Sequence, residues 1–309
     1  MGTLGRTLVI SNGEFGERLY DVTKLHTDKV DHLQFRWQAA IDLGRVEKLL
    51  SARRYTLVAM VHHETSTGML NPVAEITRLA HAYGAYVSVD AVSSIGAELI
   101  QMQGWGVDIL VGASGKALSA MPGVGIVVVR EDVLTALESH VPRVHYLDLV
   151  RLFHFMNTYT QTPNTPAVPI FVSLHAALKE LSEKGIIYAR RTIEYRARLV
   201  RRELLDMGLS YIDYGSINSS VITCVPLPPQ LSFTVLSERL KSKGIVVYNG
   251  KGILKDKIFQ IGHIGALRPK DTRKALREIR QVTRKYVSQP QANAPFSRHF
   301  ARSRSHVVS

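Results

Sequence analysis

The 309-residue chain is 45% hydrophobic, enough to bury a large core, and is expected to form one large and one small domain. No apolar run approaches a membrane span and the N-terminus has no signal-peptide layout, so neither a membrane nor a secreted protein is expected, and a cytoplasmic setting is. The formal net charge of +13 would suit an acidic partner. However, the arginine pairs at 190–191 and 201–202 and the basic run 270–285 lie on helix-like segments, where such charges are usually solvated, and no nucleic-acid-binding signature accompanies them. The single cysteine, Cys224, excludes an internal disulfide and sits in an apolar strand-like run, as an inert core thiol would.

In chain order, TLVISNGEFGERL reads as a strand, a glycine-flanked turn and a helix. A strand is expected over residues 32–37 and a short helix over 43–50 with Asp42 as its cap. Between residues 57 and 130, three blocks each carry a short apolar run rich in β-branched residues, the pattern of strands buried on both faces. The first two runs are followed by helix-like segments, so the expected fold is α/β with a mostly parallel sheet. Residues 148–164 read as irregular, and the prolines of TPNTPAVP mark a boundary. A long helix ending at Gly185 follows, then a charged helix over about 189–207. The C-terminal part alternates again: SSVITCVPL, a helix over 233–243, GIVVYNG, IFQIGHIG and a helix over 271–286. The expected division is a large domain over 1–164, a connecting helix over 165–188, a small C-terminal α/β domain over 189–287, and a disordered basic tail over 288–309.

Polar residues gather at the carboxyl ends of the three central strands, where open α/β sheets bind ligands: His63, Glu64 and Thr65, then Asp90 and Ser93, then Ser114 and Lys116. A lysine and an aspartate at neighbouring strand ends suit pyridoxal phosphate chemistry, in which the lysine forms a Schiff base and the carboxylate pairs with the pyridine nitrogen. Small residues at 112, 113, 115 and 117 would let backbone approach a cofactor closely. An aspartate after a strand is also a common helix cap, and a lysine in a Gly/Ser loop is commonly solvated, so spacing alone leaves both readings open. The HHE triplet lacks the HExxH spacing, and no metal is expected. Gly123-Val124-Gly125 enters a strand instead of following one, so a dinucleotide fingerprint is rejected.

HHETSTGMLNP, VDAVSSIGAE and GASGKALSAMPGVGIV, in this order and spacing, resemble the fold-type I, class V aminotransferases, and the likeness runs from residue 8 to about 284. The resemblance is strongest to members that take 2-aminoethylphosphonate, alanine or serine as amino donor and pyruvate or glyoxylate as acceptor. It implies pyridoxal 5'-phosphate as cofactor, Lys116 as its covalent anchor and proton shuttle, and Asp90 as the partner of its ring nitrogen. Phe15 falls where the family stacks an aromatic on the cofactor ring, and Thr65 where it bonds the phenolic oxygen. Ser114 falls in the cofactor-binding stretch. Thr165 falls where the family contacts the phosphate from the neighbouring subunit, which implies a homodimer. For Phe15 and Thr165 plain helix-start roles remain equally open, and for Thr65 turn chemistry does.

Some positions depart from the family. Gln260 stands where the family carries a carboxylate-gripping arginine, and Gly115 where it usually has an amide. His263 could partly substitute for the arginine or be a satisfied structural histidine. In the family an N-terminal arm and a phosphate-cradling Gly/Ser loop, roughly a fifth of a typical member, precede the stretch that opens this sequence. The leading expectation is therefore an active transaminase. The alternative is a truncated, catalytically impaired paralogue acting as a structural or binding subunit.

Overall fold

The computed structural model describes residues 5–139, 142 and 144–287. The tail expected over 288–309 lies outside the described residues. The described residues divide into two compact units, the first within residues 5–65 and 70–190, the second within residues 66–69 and 191–287.

The first unit is built on a six-stranded sheet in the order β2-β1-β3-β6-β7-β8. The strands are β1 (Thr7–Ser11), β2 (Val30–Gln34), β3 (Leu57–Val61), β6 (Tyr86–Asp90), β7 (Ile109–Ala113) and β8 (Gly125–Val129). All pairs are parallel except β7 with β8. The two-residue strands β4 (His63–Glu64) and β5 (Met69–Leu70) flank the excursion of residues 66–69. Every residue of β1 and β3 is buried, which is why both read as unbroken apolar runs and not as alternating ones. Helices α1 (Glu14–His26), α2 (Leu43–Ala52), α3 (Val73–Ala82), α4 (Met102–Trp105), α5 (Glu131–Glu138), α6 (Leu149–Tyr159) and α7 (Val168–Lys184) complete the unit.

Its core packs Leu8, Ile10, Val58, Met60, Val87 and Val89 of the strands against Val46 and Leu50 of α2 and Ile76 and Ala80 of α3. Burial of each larger side chain contributes about 1.5–3 kcal/mol. As expected, α2 starts at Asp42, whose carboxylate accepts from the Gly44 and Arg45 N–H groups at 2.9 and 3.3 Å. Among the described residues β8 has a strand neighbour on one side alone, and its Val127 and Val128 are exposed.

Opposite the ligand edge the sheet is fastened by Asp108, which is fully buried. Its carboxylate meets His81 Nε2 at 2.8 Å and accepts from Val87 N–H at 2.6 Å and Arg130 Nη1 at 2.7 Å, so it ties α3, β6 and the residue after β8 together. Asp108→Ala would strand the Val87 donor and is expected to cost about 3 kcal/mol, read as a lowered urea midpoint at unchanged slope.

Two segments differ from the sequence expectation. After β6 the chain turns through Ser93, Ser94 and Gly96 before the short α4, where a helix was expected directly. The Ser94 hydroxyl donates back to Ala91 O at 3.3 Å and Gly96 takes φ +88°, both of which stop a helix from starting. Residues 149–159, expected to be irregular, form α6, because the Asp148 side chain accepts from the Val150 and Arg151 N–H groups and caps it.

The second unit carries the antiparallel sheet β10-β11-β9, with β9 (Ile222–Pro226), β10 (Tyr248–Asn249) and β11 (Ile258–Gly262). Helix α8 (Ile186–Asp206) leads into it, and α9 (Phe233–Lys241) and α10 (Pro269–Thr283) pack with it. Phe259, Val225, Val200, Leu204, Leu236, Leu240 and Ile279 form its core. Cys224 on β9 is 2% exposed, and burial pushes its thiol up to about 11, which makes it the inert core thiol expected. Among the described residues no helix is long and apolar enough to cross a membrane.

Candidate active site

The carboxyl ends of β1, β3, β6 and β7 form one edge of the first unit's sheet. The chain leaving β1 enters a turn held by Asn12, whose Nδ2 donates to Asn71 Oδ1 at 2.8 Å and whose Oδ1 accepts from Asn71 Nδ2 at 3.2 Å. Beyond it, the buried Glu64 carboxylate accepts from the backbone N–H of Phe15 and, at 3.0 Å, of Gly16. A carboxylate at these first N–H groups of α1 neutralises the positive helix end and fixes where Phe15 sits. Gly16 lies so close to β1 that a Cβ would come 2.7 Å from Ser11 Cβ, so no larger residue fits there without a backbone shift. The Phe15 ring is half-buried, with the Arg18 guanidinium 4.6 Å from its centroid.

Asp90 closes β6, and its Oδ1 accepts from Val92 N–H at 2.9 Å. Burial raises its carboxyl above the ordinary range, while the Val92 hydrogen bond and the Arg18 charge pull it back. An incoming cationic group at this carboxylate would restore the charged form that burial disfavours.

Lys116 is exposed on the loop after β7. The loop is closed by Ser114, whose buried hydroxyl donates to Met121 O at 2.7 Å and accepts from Val124 N–H at 3.2 Å. It is anchored to α7 through Met121 N–H on Ser173 Oγ at 2.9 Å. Gly115 faces Pro122, where a Cβ would come within 2.6 Å of the proline Cβ. That close approach gives a steric reason for glycine at a position where an amide was expected.

Between these strand ends runs a polar network. Thr65 Oγ1 donates to Ser93 Oγ at 2.9 Å, and Ser93 Oγ lies 3.0 Å from His63 Nδ1. His63 is 1% exposed; burial pushes its imidazole down to about 3, and the charges of His62 and Lys116 add to that. His62 rests on Ser94 Oγ at 3.0 Å and edge-on to Trp105, and burial pushes it down to about 4.

Two further expected residues come from later in the chain. Thr165 is exposed in the segment before α7. Gln260 belongs to the second unit, where its buried amide donates to Ser66 O at 3.2 Å and Cys224 Sγ at 3.3 Å. His263 of that unit meets Thr223 Oγ1 at 2.8 Å, and burial, with Arg201 and Arg196 nearby, pushes it down to about 3. Arg196 fastens the loop after β11 through the carbonyls of His263, Gly265 and Leu267, a role that no local pattern signals.

Three buried neutral histidines make the protein acid-sensitive. An unfolded histidine titrates near 6.5, so the unfolded state binds more protons below that value while His62, His63 and His263 stay neutral until about 4, 3 and 3. Their contribution is intact above pH 6.5 and is lost progressively as the pH falls toward 3. At pH 5 each is expected to cost about 2 kcal/mol relative to pH 8, measured by urea unfolding at the two values.

The sequence profile of the Aminotransferase class-V family matches residues 5–263. The chain belongs to the class V aminotransferases. It is 31% identical to the 2-aminoethylphosphonate–pyruvate transaminase of Pseudomonas fluorescens over 92% of this chain and 79% of that one. It is 32% identical to an uncharacterised aminotransferase of Methanocaldococcus jannaschii over 84% of this chain and 68% of that one. In structure it resembles the alanine–glyoxylate aminotransferase of Nostoc sp., with TM-score 0.87 and 25% identity over 92% of this chain and 76% of that one. The pyridoxamine–pyruvate aminotransferase of Mesorhizobium loti is similar at TM-score 0.87 and 26% identity, over 94% and 75% of the two chains. This class V aminotransferase is a pyridoxal phosphate enzyme of fold type I, with the mostly parallel sheet expected. Its residues fit that cofactor: an amine on an open loop, a half-buried carboxylate that a ring cation would stabilise, and a hydroxyl network at the strand end between β1 and β6.

Proposed function

We propose that this aminotransferase moves an amino group from a small amino donor (2-aminoethylphosphonate, alanine or serine) to a 2-oxo acid such as pyruvate or glyoxylate. The observation that carries the proposal is the placement of Lys116 and Asp90 at the carboxyl ends of adjacent strands, on the edge that also holds Phe15 and Thr65. The printed substrates of the relatives from Pseudomonas fluorescens and Nostoc sp. support the substrate class.

Lys116 Nζ would hold the cofactor covalently and, when free, would serve as the base that moves the proton at the substrate carbon. Pyridoxal phosphate, when bound, supplies the electron sink for the pair that proton leaves behind. Asp90 would keep a proton on the ring nitrogen, Phe15 would cover the ring and Thr65 would offer its hydroxyl to the phenolic oxygen. Ser114 keeps the Lys116 loop closed, and Thr165 would reach the phosphate held by a second subunit. Exposed Leu152, Phe153 and Met156 on α6 and Phe171 and Val172 on α7 support a homodimer, which burial of such a surface would stabilise. Gln260, a neutral amide where the family carries an arginine, removes the ion pair that would grip a donor carboxylate.

The test is a cofactor titration of the purified chain, followed by borohydride trapping, peptide mapping and a screen of donors by loss of the visible band. A saturable band whose label maps to residue 116, bleached by one of the named donors, is the expected result. Label scattered over surface lysines would refute the reading and favour the non-catalytic subunit.

A further inference from the structure

His63 Nε2 is buried and has no hydrogen-bond partner, while its Nδ1 lies 3.0 Å from Ser93 Oγ. A buried N–H without an acceptor is rarer and costlier than a bare acceptor nitrogen. The arrangement therefore selects the imidazole tautomer with its proton on Nδ1, pointing at Ser93. Ser93 Oγ then receives two donors, His63 Nδ1–H and the Thr65 hydroxyl at 2.9 Å. Its own proton has an acceptor in His63 O at 3.3 Å.

This set has a consequence for Thr65, whose hydroxyl carries one proton and can serve one acceptor at a time. If that proton turns away from Ser93 toward a ligand, the half-buried Ser93 Oγ still accepts from Nδ1–H and keeps a donor within the protein. We propose that His63 is a positioning residue, which through Ser93 frees the Thr65 hydroxyl to donate to an oxygen of the bound cofactor. This rests on the reading of Thr65 given above. Burial of the ring keeps His63 neutral through the working pH range, so the set works without placing a charge beside Lys116.

Nitrogen-15 NMR of the histidine-labelled, cofactor-free chain tests the tautomer directly. His63 should show a protonated Nδ1 and an unprotonated Nε2 that stay so from pH 8 to pH 5, and the opposite tautomer would overturn the proposal. The second arm measures the affinity for 4'-deoxypyridoxine 5'-phosphate, which keeps the phenolic oxygen and cannot form a covalent bond. His63→Leu should weaken it about 10-fold, and His63→Asn, whose amide replaces the Nδ1 donor, should restore it to within about 3-fold. Ser93→Ala removes the oxygen that competes for the Thr65 proton, so it should weaken the affinity less than His63→Leu does, and adding His63→Leu to Ser93→Ala should have no further effect. Additive losses, or failure of asparagine to rescue, would reduce His63 to a packing residue. The Thr65→Val arm separates the two readings. Unchanged affinity there removes the Thr65 contact itself, whatever the tautomer of His63.

Discussion

Lys116→Ala is expected to lower transamination by at least about 10⁴-fold, because in the proposed reaction the same amine would serve as covalent anchor and as the base that moves the proton. The side chain is exposed on its loop, so its loss removes no packing and the melting temperature should stay where it is. Ser114, Gly115 and Pro122 hold the loop without help from the lysine, so the space vacated by Lys116→Ala should keep its shape. Small primary amines added to Lys116→Ala should therefore recover part of the rate, in proportion to their concentration and basicity. Steady-state kinetics with and without added amine read both effects. A variant with more than about a tenth of the original rate would remove Lys116 from the chemistry.

Asp90→Asn should lower kcat by about 10²-fold or more, since in the proposed reaction it would replace the charge paired with the ring nitrogen by a neutral amide. The substitution is informative because it spares the backbone. The amide oxygen can go on accepting from Val92 N–H, the bond that Asp90 Oδ1 makes at 2.9 Å. Burial already disfavours the Asp90 charge, so folding should tolerate the neutral residue, and stability at neutral pH should not fall. A kinetic loss without a stability loss is the signature of a carboxylate kept for its charge. Equal losses in both would make Asp90 a turn residue.

The parts of this protein that were legible in the sequence are those that local pattern dictates. The runs LVAMV and YVSVD gave β3 and β6, and Asp42 announced α2 as its cap. The mostly parallel sheet followed from alternating strand and helix, and with it the edge that carries Asp90 and Lys116. What escaped was set by contacts between residues far apart in the chain. Glu64 binds the N-terminus of α1 from 48 residues away, and nothing local to HHE says so. Gly115 is explained by Pro122 folding back on it, a feature of loop shape. The turn after β6 and the helix after Asp148 both hinged on one side chain that bonds backbone, a choice that composition leaves balanced. Residues 66–69 join the second unit although the first surrounds them in sequence, and Gln260 spends its amide on Ser66 there.

The solitary thiol has a practical consequence. The chain has one cysteine, and Cys224 sits in the second unit under Gly68 and beside Gln260. A thiol-directed dye can reach it only when β9 is bared, because the closed form offers neither access nor thiolate. The labelling rate under native conditions thus counts openings of that one unit, while cofactor absorbance reports on the first. The protein carries a built-in clock for half of itself, readable without an engineered probe.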